Sequence, residues 1–151
     1  MMPNQETPQS GRVVGVCIAG KRGISKTNVG KGYLKANYGL VGDAHAGTER
    51  QVSLLMAERI EELSKENNLE IRPGDLAENI TVEGIDLKKV KVGDTLKIGE
   101  AELEVVQIGK DDDAPHDFSF HGLSVLVTEG VYCKVLKDGW VKIGDQVLHQ
   151  P

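Results

Sequence analysis

Two seven-residue stretches late in the chain nearly repeat one another: Val90-Lys91-Val92-Gly93-Asp94-Thr95-Leu96 and Val141-Lys142-Ile143-Gly144-Asp145-Gln146-Val147. A hydrophobic-Gly-Asp turn feeding an apolar strand is a corner that small barrels use between strands, so both Gly-Asp pairs read as structural. Between the two copies, residues 95–98, the pair Gly99-Glu100 and residues 101–108 alternate apolar and polar side chains as a hairpin does. Eighteen glycines among 151 residues, against a usual share of ~7%, add short strands and tight turns, given how many Val and Ile accompany them.

The rest of the chain fits a mainly β reading. Residues 12–19 are β-branched and apolar enough for a buried strand, and residues 51–55 for a short one. Residues 56–67 place Met56, Ile60 and Leu63 at helical spacing, with Glu61 and Lys65 as an i,i+4 pair, and Asn67-Asn68 ends that helix. Arg72-Pro73-Gly74-Asp75 is a turn. A second short helix is expected over 129–138, closing on Gly139, followed by a strand pair over 140–148. Residues 20–39, rich in Gly, Lys and Asn, read as one long polar loop of the kind that is functional or disordered. Residues 1–11 read as a disordered leader and 12–151 as a single domain, long enough to bury roughly two-thirds of its unfolded surface.

Composition narrows the function classes. No apolar run approaches the ~20 residues of a membrane span. The polar N-terminus lacks the apolar core of a signal peptide, so a cytoplasmic protein with no membrane partner is expected. Cys17 and Cys133 supply neither a disulfide framework nor metal spacing. The net charge of −5 hides an asymmetry, because residues 21–50 carry +4 through Lys21, Arg22, Lys26, Lys31, Lys35 and Arg50 against Asp43 and Glu49. Such a segment suits a compact anion, or it is a solvated lysine-rich loop; nucleic acid wants a broader basic face with interleaved aromatics.

Chemistry concentrates in Gly39-Leu40-Val41-Gly42-Asp43-Ala44-His45-Ala46-Gly47, followed by Arg50-Gln51-Val52-Ser53. Asp43 and His45 can share a metal, or the acid can orient the imidazole; alternatively Asp43 caps the turn and His45 bonds to backbone. Arg50 can hold a phosphate bidentately or form an ordinary ion pair, and Ser53 can add a hydroxyl on the same side. Glu78-Asn79 precedes the strand at Ile80; Asn79 can read a heterocycle edge or satisfy a turn. The run Asp111 to Asp113, with His116, Asp117 and His121, is either a solvated loop or a set of oxygen and imidazole ligands that matches no known spacing.

Gly-Leu-x-Gly-Asp-x-His-x-Gly, then Arg-Gln-Val-Ser, then Glu78-Asn79-Ile80, resembles the MOSC domain, named for the C-terminal domain of molybdenum-cofactor sulfurases. The resemblance runs from about Val13 to about Val147. It implies a closed β-barrel and a pocket that would bind molybdenum cofactor (molybdopterin) with Gly42, Asp43, His45, Gly47, Arg50, Ser53, Glu78, Asn79 and Lys110. It also implies partners among molybdenum-cofactor biosynthesis proteins or a molybdoenzyme. The family is further described as binding pyridoxal phosphate, through the aminotransferase-like domain of sulfurases; that domain is not found in these residues, and no lysine stands out as a Schiff-base residue.

The sequence departs from the family at one point of chemical weight. Most MOSC domains carry a cysteine two or three residues after the position of Lys110, and this chain has Asp111-Asp112-Asp113 there. A sulfane sulfur needs a thiolate to carry it, so sulfur transfer is not expected. Cys133 and Cys17 read as core residues. Thr128 also stands where many relatives carry an arginine just before Glu129-Gly130. The resemblance therefore implies a cofactor carrier or accessory protein, with its status as an enzyme open. The alternatives are a small metal-assisted hydrolase using Asp43, His45 and His116 or His121, and a non-catalytic barrel whose pocket has decayed.

Overall fold

The computed structural model describes residues 8–109 and 119–151. Seven strands close into a barrel: β1 (Gln9–Ile18), β5 (Val52–Met56), β6 (Ile80–Glu83), β7 (Thr95–Ile98), β8 (Ala101–Ile108), β9 (Val131–Lys137) and β11 (Gln146–Gln150). Around the wall the order is β1, β11, β7, β8, β9, β5, β6 and back to β1. The two-residue β2 (Thr27–Asn28) pairs outside β1. A separate three-stranded sheet joins β10 (Gly139–Lys142), β3 (Lys31–Lys35) and β4 (Gly39–Leu40).

All wall contacts are antiparallel except β5 with β6, where Leu54 pairs with Ile80. A parallel pair needs a crossover, and α1 (Ala57–Glu66) provides it. Val52 and Leu54 of β5 point into the barrel core, while Leu55 faces the outer cluster formed with Ile60 and Leu63 of α1. Burial on both faces explains why this strand reads as a continuous apolar run. The Glu61–Lys65 pair forms at 3.2 Å. Among the described residues, no helix is long and apolar enough to cross a membrane.

The repeated Gly-Asp turns are true corners with the same wiring. Asp94 Oδ2 accepts from the Lys91 amide and Asp145 Oδ2 from the Lys142 amide, each at 2.9 Å. Gly93 and Gly144 donate their amides to Val105 and Val13 of neighbouring strands, each at 2.8 Å.

Three expectations need correction. Residues 20–39 are not one loop: β2, β3 and the start of β4 lie within them. Lys31-Gly32-Tyr33-Leu34-Lys35 buries only Leu34 fully, so its strand character comes from pairing with β10 rather than from an apolar face. The second helix is displaced: α2 spans Val125–Glu129, and Val131–Lys137 is β9. Val131, Cys133 and Val135 point into the core with period two, which pairing with β5 and β8 rewards and a helix would not. Finally, β1 begins at Gln9, inside the expected leader, where Gln9 and Ser10 pair with His149 and Leu148; residues 1–7 lie outside the described residues.

Candidate functional site

The site lies beyond the C-terminal end of β1. The backbone turns back on itself twice at Gly42 (φ +94) and Gly47 (φ +81), conformations that side-chain-bearing residues rarely adopt. Amide bonds fasten this loop to its neighbours: Val41 donates to Tyr33 O at 3.0 Å, Ala44 to Ala19 O at 2.8 Å and Gly47 to Tyr38 O at 2.6 Å.

Asp43 is the inner anchor of the loop. Its Oδ1 accepts from the Ala19 amide at 3.1 Å and from Lys26 Nζ at 2.7 Å. Its Oδ2 accepts from the His45 amide at 3.0 Å and lies 3.5 Å from His45 Nδ1. The side chains of Lys26 and Asp43 are 2% and 0% exposed, whereas that of His45 is 32% exposed. Burial opposes ionisation of Asp43, but the His45 ring and the Lys26 ammonium outweigh it and hold the carboxyl well below its ordinary range. Asp43 thus caps its turn through the His45 amide and also braces the ring.

Lys26 is the residue that sequence reading missed. Its Nζ also stands 3.3 Å from His45 Nδ1. Nδ1 thus faces both the ammonium and the Asp43 carboxylate, which fixes the orientation of the ring and leaves Nε2 turned away from this pair. The sequence offered only a lysine between β-branched and polar neighbours. Nothing local distinguishes it from the exposed lysines around it, because its burial depends on the Gly42–Gly47 loop folding over it.

A second buried polar cluster continues inward. Asn79 Oδ1 accepts from the Ser53 amide at 3.0 Å and the Ser53 hydroxyl at 3.3 Å, and Asn79 Nδ2 donates to Cys17 O at 3.1 Å. Ser53 and Asn79 therefore clamp β1 to β5, and both are buried. Glu78 is fully buried; its Oε2 accepts from the Thr81 hydroxyl at 2.6 Å, and its Oε1 has no hydrogen-bond partner among the described residues. Burial pushes the Glu78 carboxyl up, partly offset by the Thr81 hydroxyl and the nearby amides of Gly74 and Glu78. Gly74 O also accepts the Lys26 amide at 2.8 Å, which ties this cluster to the first.

Arg50 continues the loop: its amide donates to Thr48 Oγ1 at 3.3 Å, and that hydroxyl donates to His45 O at 2.7 Å. Its guanidinium carbon lies 6.0 Å from the centre of the Tyr132 ring, and its charge opposes the burial that pushes the Tyr132 phenol up to about 12. The structure thus brings Asp43 and His45 together with Lys26, and Ser53 with Asn79. Ser53, Glu78 and Asn79 are buried, with hydrogen bonds to neighbouring protein groups. Lys110, Asp111 to Asp113, His116 and Asp117 lie outside the described residues. His121 sits edge-on to Phe120 with centroids 4.6 Å apart. Among the described residues, no three His, Cys, Asp or Glu side chains converge as metal ligands, and both Asp43 oxygens are already engaged by donors.

Both thiols are fully buried, Cys17 in β1 and Cys133 in β9. Burial pushes each well above its ordinary range, with the Glu78 charge adding to the effect at Cys17. Neither is placed to act as a nucleophile.

Residues 41–110 match the family model of the MOSC domain. Among solved structures, the YuaD protein from Bacillus subtilis superposes with a TM-score of 0.74 at 22% identity, covering 96% of this chain and 98% of that one. YiiM from Geobacillus stearothermophilus superposes at 0.65 with 19% identity, covering 93% of this chain and 73% of that one. YiiM from Escherichia coli gives 0.63 at 18%, covering 97% and 71%. At these identities the structures speak for the fold. No curated protein sequence matches the chain.

Proposed function

Since the chain carries a MOSC domain, we propose that it binds molybdenum cofactor or its pterin precursor and serves as a carrier or accessory protein. The observation that carries this reading is the buried Lys26–Asp43 pair, which holds the partly exposed His45 ring in one orientation at the glycine loop. A ring braced on one edge by two fully buried charges is prepared to present its other edge to a ligand.

The residues present fit a phosphate-bearing heterocycle. His45 Nε2, the outward nitrogen of the braced ring, would contact the heterocycle or its phosphate. Arg50, only partly buried, follows the glycine loop in the chain, and the exposed Lys21 and Arg22 follow Ala19, whose amide Asp43 holds; these would supply the positive charge. When bound, the cofactor would supply metal-centred redox or oxygen-transfer chemistry; the chain's own residues would bind, orient and shield it. Partners would then be proteins that make the cofactor or an enzyme that receives it. The buried, proton-bound thiols of Cys17 and Cys133 speak against persulfide carriage by this chain, in keeping with the aspartates that stand where most MOSC domains have cysteine.

The test is a titration of the purified protein with molybdopterin, with and without molybdate, beside a His45→Ala/Arg50→Ala variant. Saturable binding that weakens at least tenfold in the variant is expected. No binding by the unaltered protein would sink the carrier reading and leave a barrel whose pocket has decayed.

A further inference from the structure

A groove of 570 Å³ opens where the small sheet meets the barrel wall, lined in part by Lys31, Lys97, Glu100, Trp140, Lys142 and Asp145. It is distinct from the His45 site: Gln146, on its rim, pairs with Arg12 in β1, whereas Asp43 binds Ala19, past the C-terminal end of that strand, and none of the groove's lining residues belongs to the glycine loop. Three features of the groove point to a ligand. Lys31 and Lys142 are exposed directly opposite one another across β3 and β10, a like-charge pairing that destabilises a sheet. None of the three lysines has an ion pair within 4 Å among the described residues. Trp140, the chain's single tryptophan, is 50% exposed, with Lys31 Nζ 4.8 Å from its ring centre and the Tyr33 ring edge-on at 5.1 Å.

We infer that this groove is a binding site for a nucleoside monophosphate, independent of the site around His45. The volume falls within the ~300–1,000 Å³ of small-molecule sites and is too small for a folded partner. The flat indole offers a stacking surface for a base. Lys31 and Lys142, with Lys97 nearby, place their charges where a phosphate dianion relieves their mutual repulsion. Of the two carboxylates, Asp145 is committed to its turn by accepting the Lys142 amide. Glu100, exposed at the rim, is left to accept an exocyclic amine of the base.

Adenosine 5′-monophosphate is titrated into the full chain while Trp140 emission and binding heat are recorded. Saturable binding is expected, weakened at least tenfold in Lys31→Gln/Lys142→Gln, weaker for uridine 5′-monophosphate, and unchanged in His45→Ala. The double variant should unfold at much the same temperature, because the repulsion it removes offsets the Lys31–Trp140 contact it loses. Absence of both signals at millimolar ligand overturns the proposal, as does a double variant that binds normally. Inorganic phosphate binding as well as the nucleotide would reduce the groove to an anion site and overturn it too. A single-stranded oligonucleotide binding far more tightly would reassign the groove to a strand, and loss of binding in His45→Ala would place the nucleotide at the other site.

Discussion

Lys26 Nζ and Asp43 Oδ1 are 2.7 Å apart with both side chains out of solvent, and the same ammonium reaches His45 Nδ1 at 3.3 Å. The pair therefore does two things at once. It neutralises two charges that the interior could not hold singly, and it decides which edge of the His45 ring faces outward.

Removing one partner should be costly. Lys26→Met leaves the Asp43 carboxylate buried without its ammonium partner and should lose about 3–5 kcal/mol of stability. Lys26→Met/Asp43→Asn, which removes both charges, should recover more than half of that loss in urea denaturation. Equal destabilisation of the single and double variants would mean that the two charges are not coupled.

Acid should act through the same pair. Asp43 is held below its ordinary value of 3.8 in the folded state, so its contribution is present above that value and is lost as pH falls through the folded one. The unaltered protein should lose stability progressively below about pH 5, and an Asp43→Asn variant should show a shallower fall. Urea midpoints at pH 7 and pH 3 for both proteins check this.

Glu78 has the opposite sign. Its folded value is raised by burial above the ordinary 4.5, so its proton-bound form contributes stability that is full below that value and is lost as pH rises through the folded one. Glu78→Gln cannot ionise. The stability difference between Glu78→Gln and the unaltered protein should therefore move in the variant's favour between pH 4 and pH 9, and a constant difference would show that Glu78 ionises normally.

The thiols should be silent in the folded protein. Cys17 and Cys133 are fully buried and held in the thiol form, so labelling by a thiol-reactive disulfide reagent at pH 8 should proceed only at the rate of unfolding. Rapid labelling of either cysteine in the native state would reopen persulfide chemistry.

Much of the frame was legible because it rests on local pattern. The 95–108 hairpin, the Gly-Asp corners and the helix of Ile60 and Leu63 each carry their own periodicity or turn chemistry, and each forms where expected. Residues 131–137 were misread as a helix because a short apolar run does not announce its period until a partner strand is known. Within 27–40, strands of two and five residues have too little apolar face to be seen alone. At the site, Asp43 and His45 could be found from their glycine-rich setting. Ser53, Glu78 and Asn79 were found as polar residues of interest, but their burial was not legible.

The sequence by itself determined that this chain builds a mainly β barrel with glycine corners and one amphipathic helix, because those features depend on neighbours a few residues away. Only the tertiary structure decided that Lys26 is buried against Asp43, that Ser53 and Asn79 clamp two strands, and that Lys31 faces Lys142 beside Trp140. Each of those relations joins segments from different strands and loops. Burial and charge pairing are properties of the closed barrel, and no local pattern encodes them.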